Sequence, residues 1–148
     1  MCTIENISGS MLYAEDIYKI DRECFGNNCW SLEIFKNELL AGDNIYMICN
    51  CQKEIAGFLA VSSVLDEAEL NRIALKKDFR NRGLATRMLS SLAEILKQQN
   101  FKKLMLEVRS SNISAIQLYK KMGFKTDCIR KEYYHDPSDD AILMSLNL

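Results

Sequence analysis

Residues 102–108, KKLMLEV, form a short run that is apolar apart from its two leading lysines and Glu107. Such a run suits a strand buried on both faces. Upstream, AELNRIAL (68–75) is also strand-like, and between the two the apolar positions Leu84, Met88, Leu89, Leu92, Ile95 and Leu96 recur at helical spacing. Strand, helix and strand in this order predict a crossover connection, which restricts the chain to mixed α/β folds.

The remaining segments fit around that unit. CTIENIS (2–8) reads as a first strand, followed by a helical stretch in which Leu12, Asp16, Ile17, Ile20 and Cys24 fall three or four apart. In WSLEIFKNELL (30–40), Ser31 is placed to cap a second helix whose Leu32, Phe35 and Leu39 share a face. NIYMICNC (44–51) and EIAGFLAVSSVL (54–65) are strand-like, and the polar Gln52-Lys53 between them predicts a hairpin. After KKLMLEV, Asn112 or Ser111 caps a helix with Ala115, Leu118, Tyr119 and Met122 on one face and Gly123 at its end. FKTDCIRKEYY (124–134) and DAILMSLNL (140–148) close the chain as strands. The expected architecture is one central mixed, mostly antiparallel sheet flanked by helices. With 148 residues, 48% of them hydrophobic, and no repeat or Pro/Gly-rich linker, residues 1–148 are expected to make a single domain.

Charge narrows the partners. Nineteen basic against 20 acidic side chains leave a net charge of -1 with no basic block, so no direct nucleic-acid ligand is expected. There is no cationic leader followed by an apolar run, and no stretch approaches the roughly 20 apolar residues of a membrane span, so a cytoplasmic protein without membrane contact is expected. The six cysteines (Cys2, Cys24, Cys29, Cys49, Cys51, Cys128) lack a CxxC pair, and the single His135 completes no metal site with them at recognisable spacing. They are expected to be reduced and mostly buried, and no metal is expected.

The turn RNRGLA (80–85) joins the AELNRIAL strand to the following helix, whose first N–H groups lack partners and favour an anion. Gly83 admits a ligand close to the backbone, Ala85 and Thr86 keep the next positions open, and Arg80 and Arg82 add positive charge. A pyrophosphate fits this chemistry. Neither GxxxxGK[ST] nor GxGxxG is present, which disfavours phosphoryl and hydride transfer; ordinary solvated arginines at a helix start are the competing reading.

Glu107 is the only charge inside its strand, and ionised carboxylates are rarely buried without a partner or a task. It faces a cleft, or it pairs with a cation such as Arg109 at i+2 or a lysine. Twelve residues on, Tyr119 lies on the inward face of its helix, where the ring packs and the hydroxyl reaches toward a pocket; a plain core tyrosine is the alternative.

RNRGLA and LEVRSSNISAIQLYKKMGF (106–124), with their spacing, resemble the GNAT family of acetyl-coenzyme-A-dependent N-acetyltransferases over nearly the whole chain. CWSLEIF, VLDEAEL and RKEYYHDPSDDAILM are similar to the branch of that family, the RimI type, that modifies the N-terminal alanine of a small-subunit ribosomal protein. The resemblance implies a GNAT fold and acetyl-CoA as cofactor. It implies that backbone groups of Ile73, Ala74 and Leu75 pair with the pantetheine arm, and that the amides of Asn81, Arg82, Gly83, Leu84, Ala85 and Thr86 cradle the pyrophosphate. It further implies Glu107 as general base, Tyr119 as acid for the departing thiolate and Asn112 as a cofactor contact. A backbone N–H near Leu75 would stabilise the oxyanion. The chain departs from the family pattern with Asn81 where a basic residue is frequent, Ala85 for the second glycine, and Asn27-Asn28 in the substrate-side segment.

Trp30, Tyr133 and Tyr134, with His135, Asp136, Asp139 and Asp140, are expected to line the peptide entrance and attract a cationic N-terminus; an exposed hairpin with packed tyrosines is the competing reading. An N-terminal amine suits a lone Glu base, because an α-amine has an ordinary pKa near 8 and lysine about 10.4, so neutral lysine costs roughly 3 kcal/mol more. The expected acceptor is therefore a protein N-terminus, alanine first, approached by a monomeric enzyme. The alternatives are a small amine, such as a polyamine, antibiotic or amino acid, a lysine side chain, or a CoA-binding sensor without turnover. A covalent route through Cys128 lacks a nearby base.

Overall fold

The computed structural model describes residues Met1–Leu148. In chain order the elements are β1 (Cys2–Asn6), α1 (Ala14–Phe25), α2 (Leu32–Ala41), β2 (Ile45–Cys51), β3 (Glu54–Val64), β4 (Glu67–Leu75), α3 (Leu84–Gln98), β5 (Lys103–Arg109), α4 (Ile113–Lys121), β6 (Lys125–Tyr134) and β7 (Asp139–Asn147). The seven strands follow the order β1-β2-β3-β4-β5-β7-β6. β4 and β5 are parallel, while β1–β2, β2–β3, β5–β7 and β6–β7 are antiparallel, so the expected mixed, mostly antiparallel sheet with helices is what the chain forms. The residues group into two compact units, Met1–Ser62 with Asn71–Leu92, and Ser63–Leu70 with Ala93–Leu148. No helix is long and apolar enough to cross a membrane.

In the first unit, Ala14, Ile17 and Ile20 of α1 and Phe35 and Leu39 of α2 bury against Tyr46 and Ile48 of β2 and Phe58 of β3. Phe35 meets the rings of Tyr46 and Phe58 edge-on, at centroid distances of 6.4 and 5.7 Å. Ser31 starts α2 as its sequence suggests, its hydroxyl accepting from the Ile34 N–H at 3.2 Å. The β2–β3 hairpin turns on Gln52 (φ 53°) and Lys53 (φ 72°), the consecutive left-handed pair that a two-residue turn of matching twist requires. At Gly57 on β3, an added Cβ would collide with the Ala74 carbonyl oxygen and lie 2.6 Å from Leu75 Cδ2, so the missing side chain lets these two strands close up.

In the second unit, β5 runs parallel to β4 in the register Glu67–Leu70 with Lys103–Leu106, which is the predicted crossover. One expectation needs correction: Leu104, Leu106 and Val108 are buried, while Met105 and Glu107 are only half-buried, so β5 alternates instead of being covered equally on both faces. The apolar run concealed this alternation because Met105 is apolar too. Asn112 caps α4 by accepting from the Ala115 N–H at 3.3 Å, and Ile116 joins Tyr119 on the buried face. Gly123 (φ 103°) ends the helix. β6 is exposed along nearly its whole length, and its many charges protect the strand from edge-to-edge pairing.

The cysteines also depart from expectation. Cys2 and Cys51 form a disulfide, because antiparallel pairing of β1 and β2 sets them directly opposite each other despite a sequence separation of 49. Only Cys49 and Cys51 are buried, and Cys128 is exposed.

Candidate active site

Within the first unit, the turn before α3 alternates hand: Asn81 (φ 62°) and Gly83 (φ 75°) are left-handed and Arg82 between them is not. Alternation of this kind turns successive backbone N–H groups toward one concavity, and the free N–H groups at the start of α3 extend it. Nothing lies within 4 Å of where a Gly83 Cβ would stand, so the cradle is open at that residue. Arg82 is exposed, with its guanidinium 5.4 Å from the Phe79 ring. Arg80 is not the free anion ligand its sequence position suggested. Its Nε donates to the Leu75 carbonyl at 3.0 Å and its Nη2 to Cys24 Sγ at 3.4 Å, so it ties the turn back to the end of β4. The Leu75 carbonyl also accepts from the Cys24 thiol at 3.3 Å. Ala74 is buried, and Ile73 and Leu75 are half-buried.

The segment between α1 and α2, which carries Trp30, is held by a charge buried in the same unit. Asp21 is fully buried, and its Oδ2 accepts from the Trp30 N–H at 2.7 Å. Arg72, from the middle of β4, places Nε 3.2 Å from Asp21 Oδ1 and donates through Nη2 to the Asn28 carbonyl at 2.6 Å. Its guanidinium lies 4.1 Å from the Phe25 ring centroid and 4.6 Å from that of Trp30. Burial pushes the Asp21 carboxyl up from its ordinary range, against the pull of the Trp30 N–H and of Arg72. Trp30 therefore packs against Arg72 and Phe35 as part of this clamp.

The second unit gathers Glu107, Tyr119, Tyr133 and Tyr134. Glu107 Oε1 lies 3.5 Å from Arg130 Nη1 on β6, with the two side chains 25% and 52% exposed. Its cation is thus neither Arg109 nor a lysine, because pairing through β7 brings β6 alongside and Arg109 is engaged elsewhere. Arg109 donates to the carbonyls of Pro137 (2.8 Å) and His135 (3.4 Å) and lies 4.4 Å from the Tyr134 ring centroid. Tyr133 and Tyr134 meet edge-on at 5.2 Å, and Arg130 stands 5.4 Å from the Tyr133 ring. Burial raises the Tyr134 hydroxyl pKa, and the negative charge of Glu107 adds to it. Tyr119 is 6% exposed, packs 5.5 Å from Phe124, and is pushed up to about 12 by burial, with Tyr134 contributing. Asp139 fastens the β6–β7 loop by accepting from the hydroxyls of Ser110 and Ser111 and from the Ser111 N–H, bonds that hold its carboxyl down to about 2.

Sequence reasoning missed Asp21, Arg72, Arg109, Arg130 and Asp139 as organisers. Two of them left a trace: Asp21 follows Ile17 by one helical turn, and Arg72 sits between Leu70 and Ala74 on the inward side of its strand. A charge on an apolar face is the signal that could have found both.

Residues 14–124 match the Acetyltransferase (GNAT) family. A Bacillus subtilis (strain 168) protein with the provisional name ribosomal protein bS18-alanine N-acetyltransferase is 34% identical over 131 residues, 88% of this chain and 86% of its own length. The crystal structure of the ribosomal-protein-S18-alanine N-acetyltransferase from Escherichia coli superposes with a TM-score of 0.87 at 33% identity, covering 99% of this chain and 94% of that one. Arabidopsis thaliana NAA60 in complex with acetyl-CoA shares the fold, with a TM-score of 0.87 at 18% identity over 100% of this chain and 99% of its own.

Proposed function

The chain belongs to the GNAT family of acetyltransferases, and from that premise we propose that it acetylates the N-terminal amine of a ribosomal or other protein, alanine first. Acetyl-CoA, when bound, supplies an acetyl group activated as a thioester. The open, alternating-hand turn at Asn81–Gly83 fits a pyrophosphate, and the residues proposed to hold it are Asn81, Arg82, Gly83, Leu84, Ala85 and Thr86 through their backbone. Ile73, Ala74 and Leu75 are proposed to bind the pantetheine arm as an added strand, with a backbone N–H near Leu75 donating to the acyl oxygen. Asn112 is proposed as a further contact.

The observation that carries the chemistry is Glu107, a half-buried carboxylate inside a strand with tyrosines and only a loosely held cation around it. In this reading Glu107 takes the proton of the incoming amine, directly or through a water. Tyr119 stays protonated throughout the neutral range and gives its hydrogen bond, then its proton, to the departing sulfur. Full transfer to a thiolate, whose acid has an ordinary pKa near 8.5, is uphill from about 12. Tyr119 therefore acts first as a hydrogen-bond donor, and when its proton passes to the sulfur the tyrosinate is reprotonated from solvent, into which Glu107 releases the proton it took from the amine. Tyr133, Tyr134 and the Trp30 segment are proposed to receive the first residues of the acceptor, the latter held in shape by Arg72 and Asp21.

The test is thiol release from acetyl-CoA with short peptides that differ in their first residue, a lysine peptide with a blocked N-terminus, and spermidine. Preference for free N-terminal alanine is expected. Turnover with spermidine or the lysine peptide alone would discard the acceptor while keeping the chemistry, and binding without turnover would favour a sensor.

A further inference from the structure

Three sulfurs at one edge of the sheet have no part in the chemistry above. β1 is the outermost strand of the sheet, and Cys2 on it stands opposite Cys51 on β2. Cys49 is two residues before Cys51, on the same face of β2, with its Sγ 3.9 Å from that of Cys51. All three Sγ atoms lie within 4.8 Å of one another. A zinc ion bonds thiolate sulfur at about 2.3 Å, so three sulfurs around one ion stand about 4 Å apart. Cys49 and Cys51 already have this separation.

Their surroundings suit an ion as well as a disulfide. Cys49 is fully buried and Cys51 nearly so, while Cys2 is half-buried and leaves a side open for entry and for a fourth, water ligand. Three thiolates around a divalent ion carry one net negative charge. Arg87 supplies the opposite charge beside the cluster, its Nη2 donating to the Cys2 carbonyl at 2.8 Å. Cys2 and Cys49 are far apart in sequence, and only the strand register makes them neighbours.

We propose that Cys2, Cys49 and Cys51, when reduced, bind one thiophilic divalent ion, zinc in the first instance, and that the Cys2–Cys51 disulfide abolishes the site on oxidation. A dithiol reductant delivers two electrons and two protons to the disulfide, leaving as its own disulfide and freeing two thiols. Zinc binding then breaks the S–H bonds of all three cysteines and releases their protons to solvent. Oxidation by a disulfide-bearing small molecule reverses the sequence: the ion leaves, the Cys2–Cys51 bond re-forms, and the oxidant is reduced to thiols. Metal and disulfide are therefore alternatives on the same atoms.

The test uses the full chain and zinc alone, in competition with a chromophoric chelator and without oxygen. Reduced protein is expected to take one zinc per chain and the disulfide form none. Cys49→Ser and Cys2→Ser should each weaken binding at least tenfold, and Cys128→Ser should leave it unchanged. Cys2→Ser alters a half-exposed residue, so it keeps the test decisive should Cys49→Ser fail to fold. Equal binding by the oxidised and reduced forms, loss of binding in Cys128→Ser, or no difference between wild type and Cys2→Ser would overturn the proposal.

Discussion

Glu107 and Asp21 are both carboxylates paired with arginine, and their burial gives them different work. Glu107 shares its pair with a half-exposed Arg130 at 3.5 Å, an arrangement too solvated to lock either group. Glu107→Gln keeps the shape and removes the base, so turnover should fall roughly a hundredfold or more with acetyl-CoA binding intact. Steady-state rates with a calorimetric binding constant check this, and near-normal turnover would remove Glu107 from the mechanism. Asp21 is fully buried, and Asp21→Ala would strand the largely buried guanidinium of Arg72. Loss of about 3–5 kcal/mol is expected from urea unfolding. Asp139 differs again, since its hydrogen bonds to Ser110 and Ser111 hold its carboxyl down to about 2. A depressed carboxylate stabilises the fold above its ordinary value of 3.8 and loses that contribution as the pH falls through about 2. The stability difference between wild type and Asp139→Asn should therefore be constant above about pH 5 and fade below it, read from urea midpoints across an acid series.

At the scale of elements, the loops that matter are fixed by side chains from strands. Arg72 reaches from β4 to the Asn28 carbonyl and Arg109 from β5 to the carbonyls of His135 and Pro137, while Arg80, itself in the turn, ties back to the Leu75 carbonyl at the end of β4. Strand-anchored arginines, with several donors in a rigid fork, hold loop backbone in place better than the loops' own short contacts would. The α3 turn relies on backbone hand instead, through Asn81 and Gly83. Gly83→Glu adds a left-handed penalty of roughly 1–2 kcal/mol and places a negative carboxylate at the cradle. With open space around that Cβ the fold should survive, while affinity for acetyl-CoA should fall at least tenfold. Calorimetry decides it, and unchanged affinity would sink the cradle assignment.

For the whole molecule, the sequence predicts one domain where contacts group the residues into two units, with β3 and β4 each contributing to both. A chain whose strands are shared in this way should unfold in a single calorimetric transition, with equal calorimetric and van't Hoff enthalpies; two resolved transitions would speak for separable domains. The elements themselves were legible because each rests on local chemistry: the crossover in KKLMLEV and its flanking helix, the cap at Ser31, the hairpin at the polar Gln52-Lys53, and the Gly83 turn. Glu107, Tyr119 and Asn112 stand out in the sequence because each lies within one short segment, and their roles at the site are those proposed above. The partners were not. Sequence spacing left the partner of Glu107 open between Arg109 and a lysine, whereas strand order brought Arg130 to it. Likewise six scattered cysteines gave no pairing until the register of β1 and β2 set Cys2 against Cys51. Local sequence thus determined which elements form and which residue types the chemistry can draw on, since helix caps, turns and apolar periods act over a few residues. Tertiary structure alone decided which charge meets which and which sulfurs touch, because those distances are set by strand order and register between segments remote in the chain.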